Sequence, residues 1–296
     1  MTQVSIEASV LFQAAVEDPR KSLLFTERLR DAIEREELSL YYQPQFRSGD
    51  GRPCGVEALA RWFPGNSRPI SPIVFIRQAE QSGLISALGQ WVLREACRTA
   101  MTWRLPGEEP PILCVNVSPH QIGPEFSRTL MQTLECTGLP PSRLELEITE
   151  GILIENPESA LSWLAQWKQI GVRIALDDFG TGYSSLNYLS RLPVDRLKID
   201  RSLIQRVVTD TKTAAIVRAV ISLGEDLGFA VLAEGVETEA QFELLLCMGC
   251  EQMQGFLLTP PVSSRQAVRL FARPWGRRLV CGPVRADNSW LGGNVH

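Results

Sequence analysis

The sequence predicts an α/β fold, specifically a modified TIM-type (β/α)8 barrel with an antiparallel first strand. Two observations predict the barrel. Eight short apolar runs rich in β-branched residues recur along the chain with helical segments between most of them, which favours a largely parallel sheet. The runs also fit into about 250 residues, the usual size of a (β/α)8 domain. A third observation modifies it. Only the stretch from Arg47 to Pro53 separates the first two runs, and a parallel crossover needs about a dozen residues, so these two strands must form a hairpin. An open doubly wound sheet is the competing arrangement.

The expected strands are Leu38–Phe46, Cys54–Phe63, Ile112–Ser118, Leu144–Thr149, Arg173–Phe179, Arg196–Asp200, Ala230–Val236 and Met253–Leu258. The expected helices are Phe25–Glu36, two runs between Pro72 and Trp103, Ser118–Cys136, Pro157–Gln169, Ser185–Leu192, Ser202–Leu227, Thr238–Met248 and Ser264–Phe271. In the longest, Ile216, Val220, Leu223 and Leu227 recur at helical spacing and predict the core-facing stripe. Residues 1–24 read as a connector helix or linker, 25–273 as the barrel, and 274–296, rich in Gly, Pro and Arg, as a tail.

With 44% hydrophobic and 22% charged residues in 296, the chain has the make-up of a globular protein with a sizeable core. Its net charge of −4 argues against binding polymeric nucleic acid through a basic face. A small phosphate diester remains compatible, given local cations. Seven cysteines are scattered, and Cys247-x-x-Cys250 has no second close pair and only two histidines in the chain to complete a zinc site. Reduced core thiols in a cytoplasmic protein are expected. No apolar run reaches membrane-spanning length, so no membrane contact is expected of this segment.

Polar residues collect at the downstream ends of the strands: Gln43, Glu57, Asn116, Glu147, Asp177 with Asp178, Lys198, Glu234 and Gln254. In a (β/α)8 barrel these ends converge on one mouth, where active sites are built. Each residue alone has an ordinary explanation. Glu57 suits an edge salt bridge, Asn116 a helix cap and Glu147 a solvent-facing strand position. Together, the five carboxylates would repel one another and take up protons unless cations joined them. Oxygen-only ligation favours Mg²⁺ or Mn²⁺ over Zn²⁺. Adjacent Asp177 and Asp178 should point to opposite faces of a regular strand, so both reach the mouth only if the strand ends there. The carboxylates alone are also compatible with other Mg²⁺-dependent barrel enzymes, acting on another phosphate or on an enol.

Eight blocks then occur in order: Tyr-Gln-Pro at 42–44, Val-Glu-Ala-Leu-Ala-Arg at 56–61, Asn-Val-Ser at 116–118, Glu-Ile-Thr-Glu at 147–150, Asp-Asp-Phe-Gly-Thr-Gly at 177–182, Leu-Lys-Ile-Asp at 197–200, Ala-Glu-Gly-Val-Glu-Thr at 233–238 and Gln-Gly-Phe at 254–256. From about residue 25 to about 273 the chain resembles the EAL domain family of cyclic di-GMP phosphodiesterases. The resemblance implies hydrolysis of cyclic di-GMP to linear pGpG with two metal ions, Mg²⁺ or Mn²⁺. Ca²⁺, which prefers longer bonds and more ligands, is expected to be inhibitory. It implies that Glu57, Asn116, Glu147 and Asp177 hold one metal, with Asp177 bridging to a second that Asp178 shares. Glu234 would be the general base, and Lys198 would bond the water or a phosphate oxygen. Gln43, Arg61, Glu237 and Gln254 would serve the substrate, Arg61 by gripping phosphate. Glu150 would anchor the loop after Asp178. The resemblance further implies a homodimer near residues 179–192, where Tyr183, Leu186 and Tyr188 lie, and an upstream sensory or GGDEF domain in a longer parent chain. Gln45 and Thr259 depart from the family pattern, standing where an aliphatic and a basic residue are usual. The rival reading is a receptor module that binds cyclic di-GMP without cleaving it. Such a module typically lacks part of the metal set or the base, whereas here every position is filled.

Overall fold

Each of the eight apolar runs forms a strand, and the sheet closes on itself. The computed structural model describes residues 19–35, 37–65, 69–103, 110–151, 157–180, 189 and 191–271. Strands β1 (Leu38–Arg47) and β2 (Pro53–Trp62) make the expected antiparallel hairpin, with Gln43 opposite Glu57. From β2 the sheet is parallel through β3 (Ile112–Val117), β4 (Leu144–Thr149), β5 (Arg173–Phe179), β6 (Arg196–Ile199), β7 (Ala230–Ala233) and β8 (Gln252–Met253). β8 then pairs antiparallel with Phe46 and Arg47 of β1. A ninth strand that the sequence did not suggest, β9 (Val262–Ser263), pairs with Tyr41 and Tyr42. Between these two contacts β1 runs through Gln43, Pro44 and Gln45, and the Gln43 amide bridges the seam by donating to the Thr259 carbonyl at 3.1 Å.

Among the described residues the helices are α1 (Pro19–Glu34), α2 (Pro72–Ser82), α3 (Ile85–Ala100), α4 (Pro124–Thr137), α5 (Pro157–Ile170), α6 (Arg201–Ile204), α7 (Thr211–Leu227), α8 (Glu239–Cys247) and α9 (Ser264–Phe271). The first is already helical at Pro19, upstream of the expected start at Phe25. The stretch expected as one helix from Ser118 is a 3₁₀ turn at Pro119–Gln121 followed by α4, separated by Gly123 and started by Pro124. The long helix expected from Ser202 is also two, because Asp210 caps a new start. Its carboxylate accepts from the Lys212 backbone N–H at 2.9 Å and from the Thr213 hydroxyl at 2.6 Å. Its buried face is Thr213, Val217, Val220, Ile221 and Gly224, rotated from the expected stripe, so that Ile216 and Leu227 are exposed. Gly224 sets the rotation, since a β-carbon there would lie 2.2 Å from the Val231 side chain of β7.

Two strands are shorter than expected. The seventh stops at Ala233, and Gly235 then turns with φ 68°. The eighth stops at Met253 because Gly255 lies against the Val236 backbone, where a β-carbon would sit 2.1 Å from a carbonyl oxygen. Val236 accepts from and donates to this segment (Leu257 N–H at 3.0 Å, Gln254 carbonyl at 3.0 Å), so a turn replaces the ladder.

The apolar core lies between the barrel wall and the helices. Trp62 packs edge-on to Phe25 and Phe75, Trp103 bridges Tyr42 and Phe271, and Trp167 meets Phe126 while donating to Ser127 Oγ at 2.7 Å. The expected helix from Ser185 lies mostly outside the described residues, as do residues 1–18 of the connector and the 274–296 tail. Among the described residues no helix is long and apolar enough to cross a membrane.

Candidate active site

Alternation along each strand decides what enters the barrel. On β4 both Glu145 and Glu147 point inward and are buried, and on β6 both Arg196 and Lys198 do. The result is two polar layers, of which the upper one forms the mouth.

In the upper layer Lys198 Nζ is fully buried and touches three carboxylates: Glu234 Oε1 at 2.6 Å, Glu147 Oε2 at 2.9 Å and Asp177 Oδ2 at 3.0 Å. Beside them, Glu57 is held at both oxygens. Asn116 Nδ2 donates to Oε1 at 2.7 Å, and Gln254 Nε2 donates to Oε2 at 2.6 Å and to Gln43 Oε1 at 3.1 Å. Gln43 and Gln254 are buried, so in this geometry they fix the Glu57 carboxylate and tie it to the Thr259 carbonyl. Nine sequence-predicted residues therefore meet at one mouth: Gln43, Glu57, Asn116, Glu147, Asp177, Asp178, Lys198, Glu234 and Gln254.

The Asp177–Asp178 pair reaches the mouth by a different device from the expected strand end. β5 continues to Phe179, but its register with β6 slips between Leu176 and Phe179, and Asp178 adopts φ 56°. This local irregularity turns two neighbouring carboxylates to the same end of the barrel. Asp177 is buried, Asp178 is exposed, and the Asp178 N–H donates to Asp177 Oδ1 at 2.8 Å.

Other predicted residues stand apart from this cluster. Arg61 lies on the same face of β2 as Glu57 but four residues on, about 13 Å along the strand, where its guanidinium lies 5.8 Å from the centre of the Tyr41 ring. Glu237 pairs with Arg201 at 2.5 Å. Both, with Gln43, Glu57, Glu234, Gln254 and Phe256, line a cavity of about 160 Å³. Glu150 Oε1 accepts from the Gly180 N–H at 3.1 Å. Tyr183, Leu186 and Tyr188 of the expected dimer segment lie outside the described residues.

The electrostatics follow from five carboxylates facing one ammonium. Burial pushes the Glu147 carboxyl well above its usual range, with Lys198 opposing and Glu57, Asp177 and Glu234 adding. Burial likewise raises Glu234 to about 8, Lys198 again opposing and Asp177 adding. Asp178, open to solvent on one side, rises to about 6 through partial desolvation of its carboxyl by the surrounding mouth and then through Asp177 and Asp200. For Lys198 burial works against the charge, but Asp177, Glu147 and Glu234 outweigh it and its pKa rises. Glu147 Oε1 is buried without a hydrogen-bond partner. Excess negative charge, an orphaned buried oxygen and an all-oxygen donor set fit a hard divalent cation.

Sequence reasoning missed the lower layer. Arg196 Nη1 lies 3.0 Å from Glu145 Oε1 and donates to Gln45 Oε1 at 2.6 Å, and Cys114 Sγ sits 3.5 Å from both oxygens. A carboxylate oxygen of each of Glu145 and Glu147, together with Cys114 Sγ, lie within 4.8 Å of one another. Two cations, Arg196 and Lys198, already compensate this group, which makes it a poor metal site. Its signal was the period of two: Glu145 precedes Glu147 by two residues, Arg196 precedes Lys198 by two, and Gln45 follows Gln43 by two. Arg201 was also missed. Its stem fills the space where a β-carbon at Gly235 would lie.

A closed α/β barrel whose strand ends carry a buried carboxylate cluster around one lysine defines a class of barrel proteins with an acidic, cation-ready mouth. The EAL domain family matches residues 26–261, and the chain belongs to it. It is 47% identical over 234 residues to a signalling protein of Caulobacter vibrioides, covering 79% of this chain and 28% of that one. It is 44% identical over 239 residues to the bifunctional diguanylate cyclase/cyclic di-GMP phosphodiesterase MucR of Pseudomonas aeruginosa, covering 80% and 35% respectively. The fold superposes with TM-score 0.79 on the PaMucR phosphodiesterase in complex with c-di-GMP, at 43% identity, covering 82% of this chain and 99% of that one. The chain thus spans about a third or less of the full-length relatives it matches here.

Proposed function

We propose that this barrel hydrolyses cyclic di-GMP to linear pGpG in a reaction that depends on a divalent cation. The observation that carries the reading is the completeness of the mouth. Glu57 and Asn116 stand beside Glu147, Asp177 and Asp178, and Lys198 and Glu234 lie in contact. The likeness to MucR, a named cyclic di-GMP phosphodiesterase, supports the choice of substrate.

Glu57, Asn116, Glu147 and Asp177 would hold one cation, and Asp178 with Asp177 a second. When bound, such ions acidify water and neutralise charge on phosphate oxygens, and oxygen ligation favours Mg²⁺ or Mn²⁺. The rest falls to the chain's own groups. Glu234, raised above the usual carboxylate range, accepts the proton of the attacking water. Lys198 orients the Glu234 carboxylate and places a fixed positive charge where negative charge develops. Gln254 and Asn116 hold Glu57 still. Arg61, higher on the same strand face, takes a phosphate oxygen, and the cavity beside Glu237 and Phe256 receives part of the dinucleotide.

The test is incubation with cyclic di-GMP and Mg²⁺ or Mn²⁺, followed by separation of products. Appearance of pGpG, abolished by a chelator, is expected. Binding of the dinucleotide without pGpG under any divalent ion would replace this reading with that of a receptor.

A further inference from the structure

We infer that Arg196 is a positioning residue: held by Glu145 and Gln45 one layer below the mouth, it keeps Lys198 on Glu234 and Asp177. The inference rests on the phosphodiesterase reading for its kinetic consequence, though not for its structural one.

The interior of this barrel stacks two ion-pair rungs across β5. The upper rung is Lys198–Glu147 at 2.9 Å and the lower is Arg196–Glu145 at 3.0 Å. Both members of the lower rung are shut off from water. The two glutamates are close, with a carboxylate oxygen of each within 4.8 Å of the other. A lysine side chain is flexible and its ammonium is a compact point charge, so Lys198 is drawn to whichever buried carboxylate is least compensated. Arg196 removes that competition. Its Nη1 contacts Glu145 Oε1 and Gln45 Oε1 together. Gly55 makes the room: a β-carbon there would lie 2.3 Å from Gln45 Oε1 and 3.6 Å from Arg196 Nη1. With Glu145 Oε1 taken by Arg196 and its other oxygen 3.5 Å from Arg173 Nε, Lys198 is left to Glu147, Asp177 and Glu234 above it.

Removing one partner of a buried ion pair leaves the other uncompensated, whereas removing both does not. In Arg196→Met, Glu145 keeps only the half-buried Arg173, 3.5 Å from its Oε2, and Lys198 should swing down to the vacated Glu145 Oε1 and leave Glu234. In the double variant Arg196→Met/Glu145→Gln it should return. Crystal structures of both variants read this without turnover, through the distances from Lys198 Nζ to Glu145 and to Glu234. Kinetically, kcat should fall by about 10- to 100-fold in the single variant with KM little changed, and recover to within about threefold of wild type in the double. A single variant whose Lys198 remains on Glu234 overturns the proposal, as does a double variant no faster than the single. If the single variant does not fold, the double variant decides alone: Lys198 in its wild-type place supports the proposal, and Lys198 displaced from Glu234 overturns it. A wild type that never yields pGpG sinks the phosphodiesterase reading alone, because the position of Lys198 is still measured.

Discussion

Lys198 Nζ lies 2.6 Å from Glu234 Oε1, and the same ammonium also contacts Glu147 and Asp177, so one buried lysine is the hub of the carboxylate cluster. Its neighbours are pinned by this charge as well as by backbone geometry. Lys198→Met keeps the stem but strands three acidic groups in a dry interior. The expected cost in chelator is about 3–5 kcal/mol, the scale for a broken buried pair. Added Mg²⁺ should return part of it. Urea titrations with and without Mg²⁺ measure both quantities, and an unchanged midpoint in chelator would show that the lysine does not carry this load.

Glu234→Gln preserves the shape of the side chain and removes its basicity. Turnover should fall by about 10²–10⁴-fold. Affinity for cyclic di-GMP, measured calorimetrically with Ca²⁺ present, should fall far less. Ca²⁺ prefers longer bonds and more ligands than Mg²⁺, and should support binding but little turnover. A variant hydrolysing at near wild-type rate removes Glu234 from the role of base.

The raised carboxyls make a statement about stability. Glu234 has an unfolded value of 4.5 and a folded value of about 8. A folded state that favours the protonated acid is most stabilised by it below the unfolded value, and that contribution is lost as pH rises through the folded one. In chelator, the melting temperature should therefore decline between about pH 5 and about pH 9. Mn²⁺ should suppress the decline by supplying the missing positive charge, and Glu234→Gln should lessen it, leaving the part that Glu147 and Asp178 contribute. A melting temperature that climbs over this interval in chelator, for wild type and variant alike, is the contrary outcome.

Asp178 combines a left-handed backbone with a proposed ligand role. Asn tolerates φ 56° nearly as well as Asp, so Asp178→Asn should fold normally and lose Mn²⁺ affinity at one of two sites. Asp178→Val cannot adopt that conformation without strain of about 1–3 kcal/mol. Equilibrium unfolding together with Mn²⁺ titration by electron paramagnetic resonance separates the two effects. Equal loss of stability in both variants would refute the backbone argument.

Most of the barrel was legible because its strands are apolar and its joints short. The seven residues between Phe46 and Cys54 forced the hairpin, and polar residues at strand ends marked the mouth. What remained hidden was tertiary in origin. The eighth strand loses its ladder because the Gly255 backbone is driven against Val236, a contact across chain segments that no local pattern records. The long helix was legible in length but not in break or face: Asp210 was a visible cap, overlooked inside an otherwise helical run, while its rotation was set by Val231. Glu145 and Arg196 sit at the upstream ends of apolar strands, where a charge reads as outward-facing until its partner two strands away is known. Gln43 and Gln254 were legible as site residues, but the bond between them and the bond from Gln254 to Glu57 depend on barrel closure.

The seam of the barrel has a consequence for the chain while it is being made. The bond from Gln43 to Thr259 spans 216 residues, and the β8 and β9 contacts with β1 wait equally long. At ribosomal speeds of about 5–20 residues per second, one flank of the newborn hairpin stays without its partners for on the order of ten to forty seconds. A bare strand flank is a template on which a neighbouring nascent chain could add itself. Pro44 sits in the middle of that flank and has no N–H to offer, so a foreign strand could not ladder along it without interruption. The residue that leaves the finished wall laced rather than zipped is thus a guard during birth.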